Sequence, residues 1–217
     1  MQRAASGSPE RRAEVAILYA DVVSFTEMTE RLGDAGSFAV MQRYLDALRA
    51  AAVDHGGREI ELRGDACLLA FDDAEQALAC AVAVQRALAE QRRGDPQHSL
   101  GVRIGLHVGR PIPHDGGFFG RDVILAARLS DAGRMHAIVA SRAFRRDLYN
   151  ASRAGRERRL RLKGFSEPQP ASRIYWGVRA GRVAARNRLD AISIWCLRRL
   201  CKLASLAFPG DVGGART

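Results

Sequence analysis

The 217-residue chain lacks the features of a membrane-spanning, disulfide-bonded or structural-zinc protein. No apolar run is long enough to cross a bilayer. The chain begins with polar residues and its first apolar run is interrupted by Asp21, so no signal-peptide pattern is visible. The cysteines form no CxxC pair and no metal-ligand spacing, so we expect reduced thiols in a cytoplasmic protein; they are Cys67, Cys80, Cys196 and Cys201.

Lysine is nearly absent, although the formal net charge is +10. Only Lys163 and Lys202 are lysines, and the remaining basic residues are arginines in an alanine-rich chain. This composition is typical of a GC-rich genome, so the charge alone is weak support for a polyanionic partner. Aromatic residues are few, at 6%, and are not interleaved with the basic ones. We therefore predict no nucleic-acid partner.

Two aspartates stand at the ends of apolar runs. Asp21 ends the run at 15–20, and Asp65 lies in a Gly-Asp pair between the alternating runs at 58–63 and 66–71. Such a pair predicts a tight hairpin turn. If the strand before Asp21 pairs antiparallel with the strand after Asp65, the two carboxylates meet. Mg²⁺ carrying a nucleoside triphosphate takes one or two protein carboxylates plus phosphates, so the pair predicts a metal site; the alternative is two surface turn residues.

The order of predicted elements indicates the fold class. Strand, helix, strand, strand, helix, strand is the order of a ferredoxin-like α+β sandwich, which we predict over residues 14–177. The strands are predicted at 15–20, 58–63, 66–71, 100–109 and 137–140, with edge strands at 158–163 and 172–176. The helices are predicted at 37–55, from a cap at Asp72 or Asp73 to about 91, and around 123–129, with a turn region at 111–117.

Five short motifs within residues 14–177 resemble the catalytic domain of the class III nucleotidyl cyclases, the adenylyl and guanylyl cyclase family. They are YADVVSFT at 19–26, RGDA at 63–66, RIGLHVG at 103–109, FG at 119–120 with AARL at 126–129, and LKG at 162–164. Each motif alone is weak, but their order and spacing together are specific. The resemblance implies the class III α+β fold and the conversion of a nucleoside triphosphate to its 3′,5′-cyclic monophosphate and pyrophosphate.

The resemblance also implies a metal site and a triphosphate site. Asp21 and Asp65 correspond to the aspartates that hold Mg²⁺ or Mn²⁺. Arg128 corresponds to the residue that steadies charge at the α-phosphate, and Lys163 to the one that holds the leaving pyrophosphate. In the family, the backbone amides of the segment after the first metal aspartate face the β- and γ-phosphates. The corresponding residues here are Val22, Val23, Ser24, Phe25 and Thr26. Family sites lie between two subunits, which implies a homodimer, or a heterodimer with another cyclase chain.

Two positions of the base-recognition half-site are informative. Glu61 stands where the family has lysine for adenine and glutamate for guanine, and a carboxylate accepts from guanine N1–H and the 2-amino group. We therefore favour GTP over ATP; the alternative is a solvated strand residue. The partner position is Gly117, which has no side chain to read the base, and Asp115 reaches it only if the turn is wound differently.

A third position departs from the family pattern. Ile124 stands where active members have the asparagine that orients the ribose, four residues before Arg128. Loss of one positioned donor in comparable sites costs about 10²–10³ in rate. Lys163 is the only lysine before the tail, which suits a phosphate ligand; the alternative is an exposed strand-end cation. His107 alternates with apolar residues and is interpreted as a hydrogen-bonded sheet residue.

The tail at 181–217 forms a separate basic segment, with a helical pattern near 190–208. Its polar residues fall on one helical face and its apolar residues on another; the apolar residues are Ile194, Leu197, Cys201, Ala204 and Phe208. Such a helix lies on an anionic membrane surface or against a partner helix; the alternative is a helix packed on the domain or a loosely ordered extension.

We therefore predict a slow nucleotidyl cyclase for intracellular signalling. The alternative is a degenerate cyclase domain that binds nucleotide or a partner without turnover.

Overall fold

The computed structural model describes residues 13–177, where helices cover both faces of a seven-stranded mixed sheet. The predicted α+β class is confirmed, and the first elements follow the predicted order β1-α1-β2-β3-α2-β4. The strands are β1 (Val15–Val23), β2 (Arg58–Arg63), β3 (Ala66–Phe71), β4 (Gly101–Gly109), β5 (Ile112–His114), β6 (Gly117–Phe119), β7 (Ile138–Ser141), β8 (Arg158–Leu160) and β9 (Gln169–Ile174). The α-helices are α1 (Phe25–Asp54), α2 (Ala74–Gly94), α3 (Arg121–Asp131) and α4 (Arg142–Arg146).

Strand β1 lies inside the main sheet, whose order is β2-β3-β1-β4-β7-β9-β8. It pairs antiparallel with β3, and Ala20 lies opposite Cys67. The predicted pairing of the strand before Asp21 with the strand after Asp65 is therefore confirmed. The β2–β3 hairpin has the predicted bounds and turns at Gly64, whose φ of 62° favours glycine.

The two faces of the sheet carry different helices. Helices α1 and α2 cover the face that holds the main core, which includes Leu18, Leu69 and Leu106. Helix α3 crosses the opposite face, and we call this the α3 face. The helix approaches so closely that a Cβ at Gly105 would lie 2.0 Å from the carbonyl oxygen of Ala126, so only glycine fits there.

The segment after Asp21 differs from the prediction. Strand β1 continues through Asp21 to Val23, and α1 starts at Phe25 rather than at 37. Ser24 makes the turn between them in a left-handed conformation, with φ of 59°. A non-helical glycine, Gly33, interrupts α1, and this break conceals the helical periodicity of residues 25–36.

Three other predictions are corrected. The region 111–117 is a β5–β6 hairpin whose turn residues are Asp115 and Gly116, both with positive φ, so Gly117 lies in a strand. Strand β9 is not an edge strand, because it lies between β7 and β8. Strand β8 ends at Leu160, which leaves Lys163 in the turn that follows. The predicted cap of α2 is confirmed: of the two candidates it is Asp73, which accepts from the amides of Glu75 and Gln76.

Within residues 13–177 both cysteines, Cys67 and Cys80, are free and buried, as predicted. Burial raises the pKa of each thiol to about 12, which makes both unreactive. No helix in this part of the chain is long and apolar enough to cross a membrane. The predicted tail helix, together with Cys196 and Cys201, lies outside the described residues.

Candidate active site

Asp21 and Asp65 lie next to each other at one end of the sheet. Because Ala20 is opposite Cys67, the next position places Asp21 level with Ala66, one residue from Asp65 in the hairpin turn. Burial raises the pKa of Asp21, the Arg103 guanidinium opposes this rise, and the negative charge of Asp65 adds to it. A raised pKa means that the ionised carboxylate is destabilised, and a bound cation would stabilise it.

Arg103 currently supplies part of that positive charge. It lies directly opposite Asp21 on β4, and its Nη2 donates to Asp21 Oδ2. The same guanidinium lies 3.5 Å from Asp131 Oδ1 at the end of α3. Asp131 Oδ2 in turn accepts from Arg128 Nη1 at 2.8 Å. Asp131 therefore links Arg128, through Arg103, to the candidate metal ligand.

The two arginines are incompletely satisfied. The Nε atoms of Arg103 and Arg128 are buried and have no hydrogen-bond partner within the described chain. A buried donor without an acceptor is costly, so a rearrangement of these side chains that gave the Nε atoms an acceptor would be favourable. Tyr19 lies on the same face, and the pKa of its hydroxyl reflects the negative charge of the neighbouring aspartates. Burial raises the pKa of its hydroxyl, and Asp21 and Asp131 raise it further.

The predicted phosphate-binding segment divides into two parts. Val22 and Val23 belong to β1, opposite Val102 and Gly101. Ser24, Phe25 and Thr26 form the turn and the first turn of α1. The Ser24 side chain does not cap the helix, and the first helical bond runs from Met28 N to Ser24 O. The first amides of α1 therefore have no side-chain acceptor from Ser24, and amides at a helix N-terminus are donors suited to an anion.

The two predicted base-recognition positions lie on strands that contact each other. Strand β6, which begins at Gly117, packs against β2, which contains Glu61. Glu61 lies opposite Leu68, a residue of the small core cluster beneath the β5–β6 hairpin. Its Oε1 accepts from Arg63 Nε at 2.5 Å. A Cβ at Gly117 would meet only the carbonyl oxygen of His114, at 3.4 Å, so the position is open to a ligand.

Ile124 lies on the outer surface of α3 and is 48% exposed. It stands one helical turn before Arg128, so the two side chains share a face. It also lines an open groove of about 390 Å³ with Phe119 and Phe165. An isoleucine this exposed contributes little to the core, so a polar residue could replace it at low cost.

Lys163 is not brought together with Asp21 in one chain. It follows β8, and four strand-to-strand steps separate β8 from β1 in the sheet. At about 4.8 Å per step, these strands lie about 19 Å apart. Lys163 is exposed and has no ion pair among residues 13–177.

A buried Ser-His-Asp array lies under α3, but its contacts indicate a structural role. His107 Nδ1 is 2.8 Å from Ser141 Oγ, and Nε2 is 3.2 Å from Asp122 Oδ1. The Ser141 hydroxyl already accepts from the amide of Phe144 at the start of α4, and Asp122 accepts from the amide of Arg110. The prediction that His107 is a hydrogen-bonded sheet residue agrees with these contacts.

Sequence reasoning missed Arg103 and Asp131. A signal for Arg103 was available, because an arginine in an otherwise apolar central strand requires a charged partner. Asp131 had no such signal, since its contacts depend on where the end of α3 lies relative to β4. No group of three or more His, Cys, Asp or Glu side chains within residues 13–177 could hold a metal ion. A metal site here would therefore rest on two carboxylates.

Comparison with known proteins places these features in a family. The model of the adenylate and guanylate cyclase catalytic domain matches residues 8–176. The adenylate cyclase of Streptomyces coelicolor is 28% identical over 134 residues, which cover 62% of this chain and 34% of that protein. The adenylate/guanylate cyclase/hydrolase of Silicibacter pomeroyi has 25% identity and a TM-score of 0.69, covering 76% of this chain and 98% of that one. The guanylyl cyclase Cya2 has 26% identity and a TM-score of 0.67, covering 75% and 92%.

The curated relatives are longer than the matched region. The chain spans between 20% and 41% of the length of five of them. The family match nevertheless covers most of the chain, from the region before β1 to the end of β9. The chain therefore belongs to the adenylate and guanylate cyclase catalytic-domain family.

Proposed function

We propose that this domain converts a nucleoside triphosphate, preferably GTP, to the 3′,5′-cyclic monophosphate and pyrophosphate, at a low rate. The observation that carries the proposal is the pairing of β1 with β3, which sets Asp21 beside Asp65. In the reaction the ribose 3′-oxygen attacks the α-phosphorus, the bond from that phosphorus to the oxygen bridging to the β-phosphorus breaks, pyrophosphate leaves, and the hydroxyl proton passes to solvent.

The donor set suits Mg²⁺ or Mn²⁺ bound together with the nucleotide. Two carboxylates are enough when phosphate oxygens and water complete the coordination. The bound ion would lower the pKa of the attacking hydroxyl and neutralise phosphate charge. Burial raises the pKa of Asp21, so a neighbouring positive charge stabilises its carboxylate. The Arg103 guanidinium supplies part of that charge when no ligand is bound.

The other residues would bind and orient the substrate. The first amides of α1, at Phe25 and Thr26, would donate to the β- and γ-phosphates, with Val22, Val23 and Ser24 setting their direction. Arg103 would turn from Asp21 to a phosphate oxygen once a metal ion takes its place. Glu61 would accept from guanine N1–H and the 2-amino group after releasing Arg63.

Complete sites would form between two chains. Strand β8, which Lys163 follows, lies about 19 Å from β1, and Ile124 is exposed on α3 one helical turn before Arg128. In a homodimer, the α3 face of one chain would supply Arg128 and Lys163 to the metal half-site of the other. A heterodimer with a second cyclase chain would allow that chain to supply the missing asparagine.

The test uses the full 217-residue chain with Mn²⁺ and either ATP or GTP, and measures cyclic product and pyrophosphate. We expect both products, with GTP preferred. Asp21→Ala and Asp65→Ala should abolish turnover and Mn²⁺-nucleotide binding while the fold persists. Asp72→Ala is the matched control, because this exposed carboxylate follows the opposite end of β3. Unchanged nucleotide affinity in both site variants would exclude the two-carboxylate site.

A second candidate function is nucleotide or partner binding without turnover. It is favoured by Ile124, which replaces a polar positioning residue with an exposed apolar one, and by Gly117. Nucleotide binding that depends on Asp21 and Asp65, with no product from the natural chain or from the Ile124→Asn chain, would support this function over catalysis.

A further inference from the structure

An open cavity of about 330 Å³ lies on the α3 face, over the end of the sheet formed by β7, β9 and β8. Val139 of β7 and Ala171 of β9 form its floor, and the loop after α3 forms one wall at Ala132 and Gly133. Small residues on the floor and wall leave the space open. Its volume falls in the range of sites that hold small molecules.

Four arginines line this cavity, and no acidic residue does so within the described chain. Strand register explains two of them: Arg158 lies opposite Ala171, and Arg173 lies opposite Val139, so both leave the sheet on the side of the floor. Arg134 comes from the loop after α3, and Arg156 precedes β8.

None of these four guanidinium groups has an ion-pair partner among residues 13–177. Arg173 has only an aromatic neighbour, the ring of Tyr175, whose centroid is 6.0 Å away. Like charges held around one cavity repel each other, and an anion placed between them would remove that repulsion.

The nearest carboxylates bind other arginines. Glu157 lies between Arg156 and Arg158 in the sequence, but it makes a two-pronged contact with Arg142. Asp131 precedes the cavity wall by one residue, but it pairs with Arg103 and Arg128. The cavity arginines therefore remain available for a ligand, although acidic residues adjoin them along the chain.

We propose that this cavity binds an anion with two or more linked phosphate groups, at a place separate from Asp21 and Asp65. Planar guanidinium groups match phosphate oxygens with paired hydrogen bonds, and several of them around one space favour a multiply charged anion. Binding here requires no metal ion, because no carboxylate lines the cavity in the described chain. Strand β8 lies about 19 Å from β1, four strand steps away.

The test is calorimetric titration of the full chain with inorganic triphosphate in the presence of EDTA. We expect binding that weakens by about tenfold or more in each of Arg158→Gln and Arg173→Gln, as for the loss of a hydrogen bond to a charged group. Arg159→Gln is the matched control, because this residue neighbours Arg158 on β8 and does not line the cavity. Circular dichroism of each variant would verify the fold.

Arg103→Gln separates this cavity from the proposed catalytic site, because it removes the guanidinium that would bind phosphate beside Asp21. Metal-free binding of triphosphate that persists in Arg103→Gln supports the proposal, whether or not the natural chain makes cyclic nucleotide. The proposal is overturned if the natural chain binds no triphosphate in EDTA. It is also overturned if Arg159→Gln loses as much affinity as Arg158→Gln, or if Arg103→Gln abolishes the binding.

Discussion

Replacing Ile124 with asparagine is expected to raise the rate of cyclic nucleotide formation by about 10²–10³-fold, equivalent to roughly 3–4 kcal/mol in the barrier. Ile124 and Arg128 share one face of α3, so the new amide would lie beside the guanidinium proposed to act at the α-phosphate. A donor placed there before the reaction would need no rearrangement in the transition state.

The change should leave the domain folded. Full burial of an isoleucine side chain stabilises by about 1.5–3 kcal/mol. At 48% exposure, Ile124 contributes about half of this, so its loss costs about 1 kcal/mol. Asparagine and isoleucine have similar helix propensities, and a domain of this size has roughly 5–15 kcal/mol of stability.

The assay compares initial rates of cyclic nucleotide formation with Mn²⁺ for the natural chain and the variant at equal concentration. Ile112→Asn is the matched control, because Ile112 is 39% exposed and lies on the β5–β6 hairpin instead of α3. An equal change in both variants would refute the positional argument. A folded Ile124→Asn chain that binds nucleotide with no gain in rate would show that the missing amide does not limit the reaction.

Three further perturbations probe the same site. Glu61→Lys should move preference from GTP towards ATP in competition assays, because it replaces an acceptor with a donor; a natural chain that already prefers ATP would contradict the role of Glu61. Asp131→Asn should lower the rate by up to about fivefold, or roughly 1 kcal/mol, because the exposed pair with Arg128 is weak; rescue by Asp131→Glu would distinguish charge from shape. Asp21→Asn should raise the free energy of unfolding in urea at neutral pH. Burial raises the pKa of Asp21 in the folded state, so its contribution to stability is present in acid and is lost as the pH rises through that raised pKa. The difference between the natural chain and Asp21→Asn should therefore shrink in acid, and a difference that grows in acid would contradict this sign.

Local signals predicted much of the fold. The β2–β3 hairpin has the bounds predicted from its Gly-Asp turn, because a turn that requires positive φ specifies the register of a short hairpin. The cap of α2 at Asp73 and the strand around His107 were predicted from equally local signals. The early start of α1 was missed, because Gly33 breaks the apolar periodicity.

The candidate site divides in the same way. Asp21 and Asp65 were predicted from their places at the ends of apolar runs, and Glu61 and Ile124 from the resemblance to the cyclase family. The sequence by itself thus determined the family and the order of the first elements, and it supplied these positions as predictions.

Only the tertiary structure decided which charges meet. Arg103 lies on a strand that joins β1 from 82 positions away along the chain, and Asp131 approaches it only because α3 crosses the sheet at Gly105. The four cavity arginines come from a loop, the segment before β8, and two paired strands, and their common direction follows from the register of β7, β9 and β8. Such contacts depend on long-range strand pairing and helix packing, whose geometry no local pattern of residues encodes.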